Sequence, residues 1–196
     1  MKAFLKLIGG EKIESPKSEL TRPTTMIVRE AVFNILKGNV ENSLWLDLFS
    51  GSGAISCEAF NHGAKRIVAV EKDKKNAALC KRNLFSLREA NNRKDDIEVI
   101  NKDVFNWINL INKRNQNYDN NEINDYKFDY IYLDPPYNNE FNNKLLEQLF
   151  TSNLLKQNTL VIYEHSKFNE ITGNILWKIK DTRLYGQTKL TFLIKI

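Results

Sequence analysis

The chain is predicted to fold as an α/β domain built on one open, mostly parallel sheet with helices on both faces. Three observations carry that expectation. From Leu44 onward, short apolar runs alternate with amphipathic helical stretches, the pattern of parallel strands joined by crossover helices. The stretch Ser43–Gly53, SLWLDLFSGSG, is a strand entering a glycine turn that a helix follows, as at the opening of a nucleotide-binding βαβ unit. A second strand, Phe128–Leu133, ends in Asp134-Pro135-Pro136-Tyr137. These two strands are expected side by side at the topological switch point, where ligands bind beyond the strands' carboxyl ends.

The elements follow in order. Ala3–Ile8 and Lys12–Lys17 read as two short strands around the Gly9-Gly10 turn. Met26–Leu36 is a helix, with Ile27, Val28, Ala31, Val32, Ile35 and Leu36 at helical spacing and Thr24 or Thr25 as its N-cap. A solvated helix face accounts for Arg29 and Asn34 as well as any function does. Leu44–Phe49 is a strand, Ala54–Asn61 a helix, and Arg66–Val70 a strand that stops at Glu71. The helix Asp73–Asn91 carries its lysines and arginines outward, and Ile97–Ile100 is the next strand. Val104–Ile111 is helical, and the asparagine-rich stretch 112–127 reads as a surface loop because it has no periodicity. Then come the strand Phe128–Leu133, the helix Asn142–Phe150 and the strand Thr159–Tyr163. Leu176–Ile179 and Leu190–Ile194 form a closing antiparallel pair, with Arg183–Gln187 between them. His165, lacking any partner at metal or catalytic spacing, reads as structural.

Composition bounds the function. With 196 residues, 42% hydrophobic and 27% charged, the chain reads as one soluble globular domain. No apolar run approaches the ~18 residues of a membrane span. The N-terminal MKAFLKLIGGEK is interrupted by Lys6 and does not read as a signal peptide. Cys57 and Cys80 fit no metal spacing, so no metal is expected and a reducing, cytoplasmic setting is. The 29 basic and 24 acidic residues leave a net charge of +5, compatible with nucleic acid without being diagnostic of it.

The glycine turn is not the dinucleotide fingerprint, because Ser56 stands where G-x-G-x-x-G needs its third glycine. Asp47, inside the strand, would repel a pyrophosphate and attract a ligand bearing an ammonium and a sulfonium. S-adenosylmethionine carries both charges. A glycine turn with a buried capping aspartate is the simpler alternative. Glu71, twenty residues after Gly51, stands where an acid meets ribose hydroxyls in such folds. Asp103 suits the adenine amine or, equally, the N-cap of the following helix. In Asp134-Pro135-Pro136-Tyr137 the prolines lock φ, remove two N–H donors and force extended geometry on the preceding residues. The result is a stiff, acceptor-rich tip beside an aromatic ring, suited to a planar amine that donates hydrogen bonds while its nitrogen attacks.

With Arg22-Pro23-Thr24, Val28–Asn34, Asp47–Ala54 (DLFSGSGA), Glu71, FDYIYLDPPY, Glu164 and Tyr185-Gly186 in this order, the sequence resembles the bacterial small-subunit rRNA guanine-N2 methyltransferases of the RsmD type over nearly its whole length. The resemblance implies a Rossmann-like, seven-stranded sheet at 39–196 behind a hairpin-and-helix extension at 1–38. It implies S-adenosylmethionine as cofactor, held by Asp47, Phe49, Ser50, Gly51, Gly53, Glu71 and Asp103. Asp134, Pro135, Pro136 and Tyr137 would be catalytic, with Tyr137 stacking on an extruded base. Lys17, Arg22, Thr24 and Arg29 would contact RNA. The implied partner is small-subunit rRNA in an assembling subunit, met by a monomer in the cytoplasm. One departure is that Gly9-Gly10 runs into Glu11-Lys12-Ile13 without the family's basic turn. Two other classes compete: a DNA adenine or cytosine amino-methyltransferase, which normally adds a sequence-reading region, and a non-catalytic nucleotide-binding protein, which leaves Asp134 and Tyr137 unexplained.

Overall fold

A computed structural model of the chain describes residues 3–16, 25–117, 126–135, 139–169, 171 and 176–196. Lys17, Arg22, Thr24, Pro136 and Tyr137 lie outside these. The chain divides into two compact units, Met1–Lys102 and Asp103–Ile196. The expected separate extension at 1–38 thus falls within the first unit. In the seven-stranded, mostly parallel main sheet the strands follow the order Asp96–Asn101, Arg66–Glu71, Leu44–Leu48 in the first unit and Phe128–Leu133, Leu155–Ser166, Thr188–Lys195, Trp177–Tyr185 in the second.

The first unit holds β1 (Ala3–Lys6), β2 (Lys12–Ser15), α1 (Met26–Leu36), β3 (Leu44–Leu48), α2 (Ala54–Asn61), β4 (Arg66–Glu71), α3 (Lys74–Ala90) and β5 (Asp96–Asn101). β3, β4 and β5 pair in parallel, with Asp47 opposite Ala69 and Ala69 opposite Val99. Trp45, Leu46, Leu48 and Ile67–Val70 are completely buried, as continuous apolar strands covered on both faces must be. Thr25 caps α1, its Oγ1 accepting from the Val28 N–H at 3.4 Å. Asp73 caps α3 by accepting from the Lys75 and Asn76 N–H groups at 2.9 and 2.8 Å. In the hairpin β1–β2, Leu7 and Ile13 are buried.

The second unit holds α4 (Val104–Asn117), β6 (Phe128–Leu133), α5 (Asn139–Phe150), β7 (Leu155–Ser166), β8 (Trp177–Tyr185) and β9 (Thr188–Lys195). α4 runs six residues past the expected end at Ile111. Asn112–Asn117 lacks periodicity, yet it contains neither Gly nor Pro, and extending an established helix costs each of these residues little. α5 likewise starts three residues earlier than expected. β6 and β7 are parallel; β7–β9 and β9–β8 are antiparallel. The closing pair is much longer than its apolar runs. β8 and β9 meet at Tyr185 opposite Thr188, so the expected connection Arg183–Gln187 shrinks to Gly186-Gln187. Gly186 takes the positive φ of 64° that a two-residue hairpin loop demands.

Candidate active site

In the first unit the site grows from the carboxyl end of β3. The N–H groups of Phe49 and Ser50 both reach the Val70 carbonyl, at 3.0 and 3.1 Å, so the chain leaving β3 folds over the end of β4. Phe49 takes a left-handed φ of 70°, Gly51 one of 53° and Gly53 one of 80°. At Gly53 only glycine serves, because a Cβ there would stand 2.6 Å from Cys80 Sγ and 3.3 Å from Cys80 Cα. At Gly51 a Cβ would meet nothing within 4 Å, so the space beside the turn is open.

Two carboxylates border this turn. Glu71 Oε2 accepts from the Gly51 N–H at 2.8 Å and Oε1 from the Asp73 N–H at 2.7 Å. The expected acid at the end of β4 is therefore tied directly to the glycine turn. Asp47, only 1% exposed, accepts from the Ser56 hydroxyl at 2.5 Å. Ser56, noticed in the sequence only as the missing third glycine, is thus what holds this buried acid. Ser50 Oγ lies 3.8 Å from Cys80 Sγ. Burial, with nearby carboxylates, pushes the Cys57 and Cys80 thiols well up, leaving both protonated and unreactive.

Arg29 departs from expectation. It lies neither on a solvated helix face nor where a phosphate could reach it; it is 1% exposed. Its Nε donates to Glu58 Oε1 at 3.1 Å and its NH2 to the Lys6 carbonyl at 2.7 Å. Glu58 Oε1 also accepts from the Ile8 N–H at 3.0 Å. The cause lies in the packing: the hairpin covers this face of α1, so the guanidinium meets a buried carboxylate and a backbone carbonyl instead of water. Burial pushes the Glu58 carboxyl up, and the Ile8 and Arg29 hydrogen bonds oppose that rise.

In the second unit, Asp134 is half-buried directly after β6, and Pro135 is buried behind it. β7 places Tyr163 opposite Leu133, one residue from the acid. Tyr163 is completely buried, and its hydroxyl has no hydrogen-bond partner among the described residues. Burial and then the negative charge of Asp134 push its phenol far up, so it stays neutral. Tyr132 donates its hydroxyl to Glu164, both being buried. His165 is structural: its Nδ1 donates to the Ser166 carbonyl at 3.0 Å and its Nε2 accepts from the Thr191 hydroxyl at 2.9 Å. Asp103 caps α4, Oδ1 accepting from the Asn106 N–H at 3.3 Å.

Nothing in the sequence singles out Tyr163 or Asn83, since each lies in a strand or helix whose periodicity explains it as ordinary packing. Tyr163→Phe removes a buried hydroxyl that has no partner among the described residues, so it is expected to be neutral or to stabilise by up to about 1 kcal/mol. A urea midpoint that falls by more than about 2 kcal/mol equivalent would reveal a hydrogen bond.

The family model described as conserved hypothetical protein 95 matches residues 5–194. Ribosomal RNA small subunit methyltransferase D of Haemophilus influenzae is 33% identical over 177 residues, which cover 90% of this chain and 84% of that protein. The protein of the same name from Buchnera aphidicola subsp. Acyrthosiphon pisum is 28% identical over 180 residues, 92% of this chain and 85% of its own. Among solved structures, a candidate methylase of Haemophilus influenzae matches with a TM-score of 0.72 at 25% identity, over 99% of both chains.

Proposed function

The chain belongs to the family described as conserved hypothetical protein 95, the RsmD family, and from that premise we propose that it is an S-adenosylmethionine-dependent methyltransferase acting on the exocyclic N2 amine of a guanine in small-subunit rRNA. The observation that carries this reading is the hydrogen bond from the Gly51 N–H to the Glu71 carboxylate. It sets an acceptor for vicinal hydroxyls on a glycine turn that has open space beside it. The donor set fits the cofactor: Glu71 for ribose, the buried charge of Asp47 for the ammonium and sulfonium, and the Phe49–Gly53 turn for the backbone approach. Asp103 is proposed to receive the adenine amine in addition to capping α4.

The cofactor, when bound, supplies a methyl group on a positively charged sulfur. The chain's residues must then make a poor nucleophile react, because the guanine amine shares its lone pair with the ring. Asp134 accepts one N–H of the amine, and a carbonyl of the Pro135-Pro136 pair accepts the other. Both bonds favour pyramidal nitrogen and direct its lone pair. Positive charge grows on that nitrogen in the transition state, so the carboxylate stabilises the transition state more than the ground state. Tyr137 stacks on the extruded base. Orienting the amine for attack on the methyl group that the cofactor would supply would account for much of the rest of the rate.

Lys17, Arg22 and Thr24 are proposed to contact phosphates, which position the substrate without reading its sequence. Arg29 leaves that set and serves the fold instead. No helix among the described residues is long and apolar enough to cross a membrane. With a net charge of only +5, the grip on bare RNA is modest, so the shape of an assembling subunit selects the guanine. The enzyme acts there as a monomer in the cytoplasm.

Labelled S-adenosylmethionine offered with subunit particles, naked rRNA and DNA, followed by nucleoside mass spectrometry, tests this. N2-methylguanosine in particle rRNA is expected; label appearing in DNA adenine or cytosine instead would overturn it. Glu71→Ala is expected to weaken S-adenosylmethionine binding about tenfold or more by titration calorimetry, a charge-assisted hydrogen bond being worth ~1.5–3 kcal/mol.

A further inference from the structure

Asn83 sits on α3, three residues after Cys80, and is 4% exposed. Among the described residues its side-chain hydrogen bonds go to backbone from two distant segments. Its Nδ2 donates to the Ser52 carbonyl and to the Glu14 carbonyl, both at 2.9 Å, and its Oδ1 accepts from the Glu14 N–H at 2.9 Å. Ser52 lies in the glycine turn between Gly51 and Gly53. Glu14 lies in β2, in the N-terminal hairpin. A buried primary amide that merely filled space would be an expensive choice where Leu or Met would pack. Here both of its ends are satisfied, and by backbone that no local turn could bring together.

The rest of the hairpin is clamped to the same unit. Glu58 accepts from the Ile8 N–H on α2, the helix that also carries Ser56 against Asp47. The hairpin is therefore joined to the cofactor turn through α2 at its own turn and through Asn83 at β2. The Asn83–Ser52 hydrogen bond is buried, and those to Ile8 and Glu14 are part-buried.

We infer that Asn83 is a positioning residue that couples the N-terminal hairpin to the cofactor turn, so that binding S-adenosylmethionine tightens the hairpin and a docked hairpin tightens cofactor binding. The inference rests on the cofactor assignment made above. Filling the turn restrains Ser52, and the restraint passes through one amide to both backbone groups of Glu14. Reciprocity follows from thermodynamic linkage: whatever factor the docked hairpin contributes to cofactor affinity, the cofactor returns to hairpin docking. The substrate-contacting groups proposed at Lys17 and Arg22 lie about two and seven residues after β2 in sequence. Coupling of this kind makes the cofactor-loaded enzyme the form that engages rRNA, and it needs no separate sensor.

Amide hydrogen exchange of the full-length protein, with and without saturating S-adenosylmethionine, gives an arm that needs no variant. Exchange at Glu14 is expected to slow about tenfold with cofactor, within the range for coupled sites, and by more than exchange in the β8–β9 hairpin. Asn83→Ala is expected to weaken S-adenosylmethionine binding about tenfold by calorimetry and to abolish the cofactor-dependent part of the Glu14 protection. It should leave the single-turnover rate at saturating cofactor within about twofold. A purely structural staple would lower thermal stability and leave cofactor affinity unmoved. Normal S-adenosylmethionine binding by the wild type with unchanged Glu14 exchange, or an Asn83→Ala variant of unaltered affinity, overturns the coupling while the proposed function stands. A wild type that binds no S-adenosylmethionine overturns both.

Discussion

Asp134→Ala is expected to lower single-turnover methyl transfer by about 10²–10³-fold, the usual cost of removing one preorganised electrostatic group from a reacting centre. The reason is specific to this position. Asp134 follows the last residue of β6 and is only half-buried, so its loss opens no large cavity, and the fold should survive. Of the acids proposed to bind cofactor, Asp47 and Glu71 belong to the first unit and Asp103 caps α4; none of the three is altered. Cofactor affinity should therefore stay within about threefold of wild type by calorimetry while the chemical step collapses. Asp134→Asn keeps an acceptor but not the charge and should fall between the two. Near-normal single-turnover kinetics in Asp134→Ala would show that the carboxylate stabilises nothing in the transition state.

Arg29→Ala is expected to cost about 3–5 kcal/mol of stability, the penalty for stranding the partner of a buried ion pair. That is a large share of the ~5–15 kcal/mol holding a typical domain together. Glu58 is completely buried and, among the described residues, its Oε2 has no hydrogen-bond partner; without Arg29 the Ile8 N–H is the hydrogen bond left to the carboxylate among them. The sign of the pH dependence follows. Burial already raises the folded-state pKa of Glu58, and losing the guanidinium raises it further. An acid raised in this way contributes stability that is present below its unfolded pKa and is lost as pH rises through the folded value. The deficit of Arg29→Ala should thus be larger at pH 8 than at pH 5. Replacing both partners, Arg29→Met with Glu58→Leu, should recover most of the loss, because the uncompensated charge is gone. Chemical denaturation at the two pH values checks all three statements. A variant as stable as wild type at pH 8 would place Arg29 at the surface after all.

Much of this protein is written locally. The helices Met26–Leu36 and Ala54–Asn61 and the strand Phe128–Leu133 have the bounds that periodicity assigns them, since the apolar spacing that defines such an element is also what buries it. Glu71 lies on the glycine turn because a strand of given length, entering a turn of given shape, has few places to put its last side chain. Asp103 joins a helix N-terminus for the same local reason. Only the tertiary structure decided what crosses between segments. Arg29 reads like any polar helix residue until the hairpin closes over it and Glu58, twenty-nine positions away, becomes its partner. Ser56 looks like a failed fingerprint until its hydroxyl is found on Asp47. Asn83 bonds to residues thirty-one and sixty-nine positions off, and strand register sets Tyr163 opposite Leu133, where the charge of Asp134 acts on its phenol. A pairing of this kind leaves no periodic trace, because each partner satisfies its own element's pattern equally well facing water. Desolvation on folding removes that option, and a buried polar group must then take whichever partner the packing has brought within reach.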